Sequence, residues 1–179
     1  MSRQYWDDRY KTGKGSGKGS CNEWAKCKLD FIDLCSPLHS ILDVGCGDLS
    51  FWKNRVFNDY IGFDWSKEAI EKAHVNRPDL TTFVHDATIP LEFKTWSVIC
   101  LDILFHIKDE KKYKKIIENI FSYAIHQVII STWSKEPTNY TKLHQQWHNN
   151  LHIPVGWEMH KKLFCEDGVN GIFTLHKKP

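Results

Sequence analysis

The chain has 179 residues, with 24 Lys and Arg against 22 Asp and Glu and a formal net charge of +2, a length suited to one domain. That near balance excludes a strongly basic nucleic-acid module and an acidic disordered tail, and 41% hydrophobic residues with 8 Trp exclude a disordered chain. No apolar run approaches the roughly 20 residues of a membrane span; the N-terminus, with Arg3, Asp7, Asp8 and Arg9, is too polar for a secretory signal, and six cysteines without a C-x-x-C pair predict reduced thiols in the cytoplasm rather than a zinc site.

The first ordered pattern is residues 22–36, where Trp24, Cys27, Leu29, Phe31, Ile32, Leu34 and Cys35 recur with mostly helical spacing until Pro37 closes the helix. Ahead of it runs GKGSGKGS, residues 13–20, a flexible low-complexity stretch. Residues 40–44 (SILDV) and 59–63 (DYIGF) read as buried strands; a helix then opens behind Ser66 as its N-cap and ends before Pro78. Residues 81–85 and 96–102 are the third and fourth strands. Residues 110–124 form an amphipathic helix with Tyr113, Ile116, Ile117, Ile120 and Phe121 inward, and 127–133 a fifth strand rich in Val and Ile. Strands separated by helices imply βαβ units and a mainly parallel sheet. The tail differs: 156–163 and 172–177 read as strands around the turn 166–171, an antiparallel hairpin added to that sheet. One domain, 1–179, is expected, with 1–21 a flexible lid-like leader to a core of 22–179.

The sharpest signal is ILDVGCGDL, residues 41–49: a buried strand ending in Asp43 and then Gly45-Cys46-Gly47. Glycines there let backbone amides approach a ligand at the carboxyl end of the strands. Asp64 follows the second strand, where a carboxylate can accept from both hydroxyls of a ribose; Asp86 follows the third, within reach of an adenine edge. A dinucleotide fingerprint fails, because Ser50 stands where its third glycine belongs, and GKGSGKGS does not form a Walker A loop.

With LDVGCGDLSFW, YIGFDWS, FVHDATIP, SVICLDILFHI and VIIST in this order, the sequence resembles the class I S-adenosylmethionine-dependent methyltransferases from about Trp24 to Lys177. The resemblance implies a three-layer αβα sandwich around a Rossmann-like seven-stranded mixed sheet of order 3-2-1-4-5-7-6, strand 7 antiparallel. It implies S-adenosyl-L-methionine as cofactor and S-adenosyl-L-homocysteine as product. Asp43, Gly45 and Gly47 would hold the methionine part, Asp64 the ribose, and Asp86 with the Ala87 backbone the adenine. Leu49 replaces the third glycine of the family pattern, and Trp65 stands where an aliphatic residue is usual, offering an indole to stack on adenine. The leader YWDDRY, residues 5–10, is similar to leaders that fold over the cofactor in some members. There Trp6 or Tyr10 would face the sulfonium and Arg9 the methionine carboxylate, with the glycine-rich stretch as hinge. The resemblance also puts Asp102 and His106 beside the methyl group and the acceptor, Asp102 as base or orienting acceptor and His106 as proton acceptor.

Three further patterns carry weaker expectations. His144, His148 and His152 share one helix face; lacking an acid or thiol partner they predict no metal, and instead line the substrate side with Gln145 and Trp147 or face solvent. Residues 108–115 (KDEKKYKK) are a solvated helix start. A ribose 2′-O tetrad would need Lys28, Asp102, Lys135 and Glu158 or Glu166, with Lys135 in the wrong strand. The expected acceptor is a small molecule or a protein side chain, bound by the leader and residues 134–154. The alternatives are an RNA 2′-O or base methyltransferase, which the net charge does not indicate, and a non-catalytic partner subunit of the same fold. A monomer or homodimer is expected.

Overall fold

The computed structural model describes residues 2–21, 23–35, 37–138, 145–149, 151–165 and 168–179. Runs rich in β-branched, aliphatic and aromatic residues form β1 (Ile41–Val44), β2 (Tyr60–Asp64), β3 (Thr81–Val84), β4 (Thr95–Leu101), β5 (Ala124–Trp133) and β7 (Asn170–Lys177), and the mostly exposed WEMHKKLF forms β6 (Trp157–Phe164). They make one sheet of order β3-β2-β1-β4-β5-β7-β6. The first five strands are parallel where they pair, and β7 runs antiparallel to both β5 and β6, as expected from the sequence.

Residue parity along the central strands explains the layers. Leu42, Val44, Val98, Cys100, Val128 and Ile130 join one core cluster with Tyr113, Ile116, Ile117 and Ile120 of α4 (Glu110–Tyr123). Their neighbours Ile41, Ile99 and Ile129 face the other way, against Trp24, Phe31 and Ile32 of α2 (Glu23–Asp33) and Ile70 and Ala73 of α3 (Lys67–Asn76). A strand buried on both faces must be apolar at successive positions, which is why these runs do not alternate. Ser66 caps α3 as expected, its hydroxyl accepting from the Ala69 amide at 3.2 Å.

Two elements depart from the sequence reading. The leader contains a helix, α1 (Arg3–Lys11), started by the Ser2 hydroxyl, which accepts from the Tyr5 amide at 3.3 Å. It lies against α3 through Asp7, which accepts from the Ser66 hydroxyl at 2.6 Å, and through Lys11, 3.3 Å from Glu68. In addition, α4 passes into β5 with no loop, Ala124 being extended, so β5 begins three residues earlier than its Val and Ile content suggests. No helix among the described residues is long and apolar enough to cross a membrane.

Ile117 is fully buried where α4 meets the sheet. Ile117→Ala is expected to lower stability by about 2–5 kcal/mol in urea titration, through lost burial and the cavity left behind. A loss below about 1 kcal/mol would contradict this packing.

Candidate functional site

The carboxyl ends of β1, β2, β3 and β4 open into a cavity of about 290 Å³. Its floor is the turn leaving β1. Gly45 and Gly47 have φ of 73° and 60°, a region L side chains rarely adopt. The first turn is also sterically closed: a Cβ on Gly45 would lie 1.7 Å from Ile103 Cδ1. On Gly47 it would lie 2.6 Å from the Ser16 hydroxyl oxygen and 2.7 Å from that of Tyr10. The amides of Gly45 and Cys46 donate to the Phe63 carbonyl at 2.7 and 3.0 Å, which ties the turn to β2. Leu49 takes the left-handed conformation (φ 59°) where a third glycine would sit; its side chain is wholly buried, and that burial offsets the backbone strain.

The three strand-end acids do different work. Asp43 is buried, and its Oδ2 accepts from the Trp52 indole at 2.6 Å and the Tyr60 hydroxyl at 2.7 Å. It thereby locks the residues on either side of the turn. Asp64 is half-buried on the cavity wall; its Oδ2 accepts from the Gly47 amide at 3.2 Å and its Oδ1 from the Ser66 amide at 2.9 Å. Desolvation pushes both carboxyls up to about 6. Asp86 forms a turn in which Oδ1 accepts from the Thr88 amide and hydroxyl, both at 2.8 Å, and it lines the cavity beside Ala87. The Ala87 carbonyl accepts from Asn119 of α4 at 2.8 Å. Trp65 lines the same end.

The leader closes the top. Ser16 donates its hydroxyl proton to Asp48 at 2.9 Å, so the Tyr10 hydroxyl, 3.0 Å away, donates to Ser16. Burial pushes the Tyr10 hydroxyl far above its ordinary range. Trp6 meets the His106 ring edge-on, centroids 5.2 Å apart, and both line the cavity. Arg9 does not: its guanidinium donates to the carbonyls of Gly15 at 2.9 Å and Lys14 at 3.4 Å, bracing the glycine-rich stretch.

At the end of β4, Asp102 has a φ of 57°. Its amide donates to the Ser131 carbonyl and hydroxyl at 3.1 and 2.9 Å, and its Oδ1 accepts the Ser131 hydroxyl proton at 2.6 Å. Its Oδ2 accepts from Lys28 Nζ at 2.5 Å. Lys28 is 1% exposed, with its ammonium 5.7 Å from the Trp24 ring centre and 5.0 Å from that of Phe51. The tetrad pattern puts Lys28 and Asp102 together from the sequence, and the two meet across 74 positions. Among the described residues, Lys28 and Asp102 are the tetrad members that meet. Lys135 is exposed, Glu158 sits on exposed β6, and Glu166 lies outside the described residues.

The histidine expectation is corrected as well. Residues 145–149 and 151–154 form no helix, and His144 lies outside the described residues. His148 instead stacks on Tyr113, ring centres 3.7 Å apart, and its Nε2 donates to the Ile107 carbonyl at 2.9 Å. This segment braces the turn Leu104–His106, with the Gln146 amide donating to the Phe105 carbonyl at 2.8 Å. None of its described residues lines the cavity.

The strand order, with its antiparallel seventh strand, is the fold of the class I methyltransferases. Magnesium protoporphyrin IX methyltransferase from Synechocystis PCC 6803, solved with bound SAH, is similar over 98% of this chain and 98% of its own, at 17% identity and a TM-score of 0.72. The N-methyltransferase NodS from Bradyrhizobium japonicum WM9, in complex with S-adenosyl-L-homocysteine, is similar over 99% and 98% of the two chains, at 10% identity and a TM-score of 0.79. A S-adenosylmethionine-dependent methyltransferase from Clostridium acetobutylicum ATCC 824 is similar over 100% of this chain and 93% of its own, at 11% identity and a TM-score of 0.63. No protein-family model matches the chain, and no curated protein sequence does.

The raised carboxyls have a sign. As pH rises from about 4 to about 6, Asp43 and Asp64 ionise in the unfolded chain before they do in the folded one. Their contribution to stability therefore falls across that window and is flat above it. Asp64→Asn is expected to make the fall shallower when urea stability is measured across those pH values. A slope equal to that of the wild type would contradict the desolvated placement of Asp64.

Proposed function

We propose that the chain is a S-adenosylmethionine-dependent methyltransferase that methylates a small molecule or a protein side chain and leaves S-adenosylhomocysteine. The observation that carries this reading is the cradle leaving β1: two glycines at positive φ, the second with its amide held by the ribose-side carboxylate Asp64, beneath a cavity of about 290 Å³.

The residues fit an adenosyl group with an amino-acid tail. Asp64 keeps lone pairs for two ribose hydroxyls after accepting from Gly47 and Ser66. Asp86 and Ala87 border the base, and Trp65 supplies a ring face for it. The turn at Gly45 and Gly47 takes the methionine part, while Asp43 acts indirectly by anchoring Trp52 and Tyr60 around that turn.

The bound cofactor supplies an electrophilic methyl group on a sulfonium, so the protein's main task is alignment. Trp6 lays an indole beside that positive charge. His106 takes the proton that a neutral acceptor gives up on methylation, an exchange an imidazole performs near neutral pH. Asp102, already accepting from Lys28 and Ser131, is the acceptor that orients the substrate. Trp6, Tyr10, Ser16 and Ser20 cover the cavity, which suits a small acceptor or a projecting side chain better than a folded RNA.

Asp64→Ala is expected to weaken S-adenosylhomocysteine binding by about 1.5–3 kcal/mol in isothermal titration, through lost charged hydrogen bonds. Equal affinity in variant and wild type rejects the ribose assignment. His106→Ala is expected to lower turnover in a labelled-methyl assay while binding the product as tightly as the wild type does; full turnover returns His106 to a structural role.

A further inference from the structure

At the amino ends of β4 and β5, away from the cavity, rings from adjacent strands stand in a row. Trp96 of β4 stacks on His126 of β5, ring centres 4.7 Å and planes 26° apart. His126 meets His176 of β7 at 4.9 Å, and His176 stacks on His160 of β6 at 4.1 Å and 13°. None of these residues lines the cavity. Irregularities in the sheet build the row. The pairing of β6 with β7 steps from Met159↔Leu175 to Lys161↔Thr174, which leaves His160 as an extra residue. That of β4 with β5 steps from Thr95↔Ala124 to Ser97↔Gln127, so Ile125 and His126 stand against Trp96 alone. Bulges re-aim side chains, and these two bring a histidine to His176 from either flank.

The row suits neutral rings. His160 and His176 lie face to face, so their in-plane lone pairs do not converge, and among the described residues no cluster could hold a metal ion. Nε2 of His176 is buried and meets no partner among the described residues. An imidazolium there carries an N–H without an acceptor, and a second imidazolium beside it repels the first. The titratable and charged groups facing His176 are His160, Lys161 and Glu158 on β6 and His126 on β5. Burial first, then His160, His126 and Lys161, push its imidazole below the usual histidine range, against the pull of Glu158. The strand at stake is an edge: β6 pairs with β7 alone and is exposed from Glu158 to Phe164. Segments with so little buried surface open at low cost.

We infer that His126, His176 and His160 form a proton-sensitive latch, which holds β6 on β7 at neutral pH and lets it part in mildly acid solution. The latch goes beyond the methyltransferase reading and does not depend on it. Its sign follows from proton balance. In a parted strand a histidine ionises near its ordinary value, about 6.5, whereas His176 in the closed row resists the proton. Below about pH 6.5 the open form therefore binds more protons than the closed one, and opening is favoured as pH falls; above that value the latch is fully engaged. Asp43 and Asp64 act in the opposite sense, stabilising the fold as pH falls, so parting of β6 is distinct from acid loss of the site.

Hydrogen exchange on the full chain, read amide by amide by NMR, tests the latch. From about pH 7.5 to about pH 5.5, protection of the amides that join β6 to β7 is expected to fall about tenfold after correction for the intrinsic pH dependence of exchange. Amides of β1 and β4 are expected to keep theirs. In His176→Phe, which keeps a ring in the row but takes no proton, the fall is expected to vanish. His160→Phe, at an exposed position, is expected to reduce it and serves where the first variant does not fold. Wild-type protection in β6 that is equal at both pH values overturns the latch. So does a fall that persists undiminished in the variants, or one shared equally by β1 and β4.

Discussion

The site depends on one backbone constraint: the turn leaving β1 holds Gly45 and Gly47 at positive φ, which L side chains rarely adopt. The Ile103 side chain, arriving from the end of β4, occupies the space a β-carbon on Gly45 would need. The parallel pairing of β1 with β4 brings their carboxyl ends side by side, and the crevice opens there. Open α/β sheets bind ligands in such a crevice. The hydrogen bonds from Gly45 and Cys46 to Phe63 bring β2 into the same arrangement, and Asp64 reaches back to the Gly47 amide. Three strands and two loops are thus held in register by one turn.

Around that turn the structure keeps charge where an ordinary core would not. Asp43 and Asp64 are both desolvated and both pushed up to about 6. Asp102 sits in a left-handed backbone conformation beside a lysine that is 1% exposed. Each of these features is destabilising on its own, and each is restrained by neighbours: Trp52 and Tyr60, the Gly47 and Ser66 amides, Ser131 and Lys28. Strain and buried charge collected at one end of a sheet mark a place organised for a ligand.

Much of this was legible in the sequence because the sheet's signals are local. A strand buried on both faces must be a continuous apolar run, and an acid or glycine directly after it sits at the sheet's carboxyl edge whatever the details. Hence Asp43, Gly45, Gly47, Asp64, Asp86 and Asp102 were all foreseen at the cavity. What was not legible was non-local. The helix RQYWDDRYK is polar and owes its place to a serine cap and to contacts with α3. Arg9 turned to backbone carbonyls, acceptors that every residue carries and no sequence advertises. His148 and His152 keep a helical spacing while residues 145–149 and 151–154 form no helix, because His148 is held by a ring stack and a carbonyl from another segment.

The most direct test of the central claim is a crystal structure of the full chain grown with S-adenosylhomocysteine. The adenosyl group is expected in the crevice, its ribose hydroxyls on the Asp64 carboxylate and its tail over the Gly45–Gly47 turn. Density for the compound elsewhere, or a crevice left empty at saturating ligand, would contradict it.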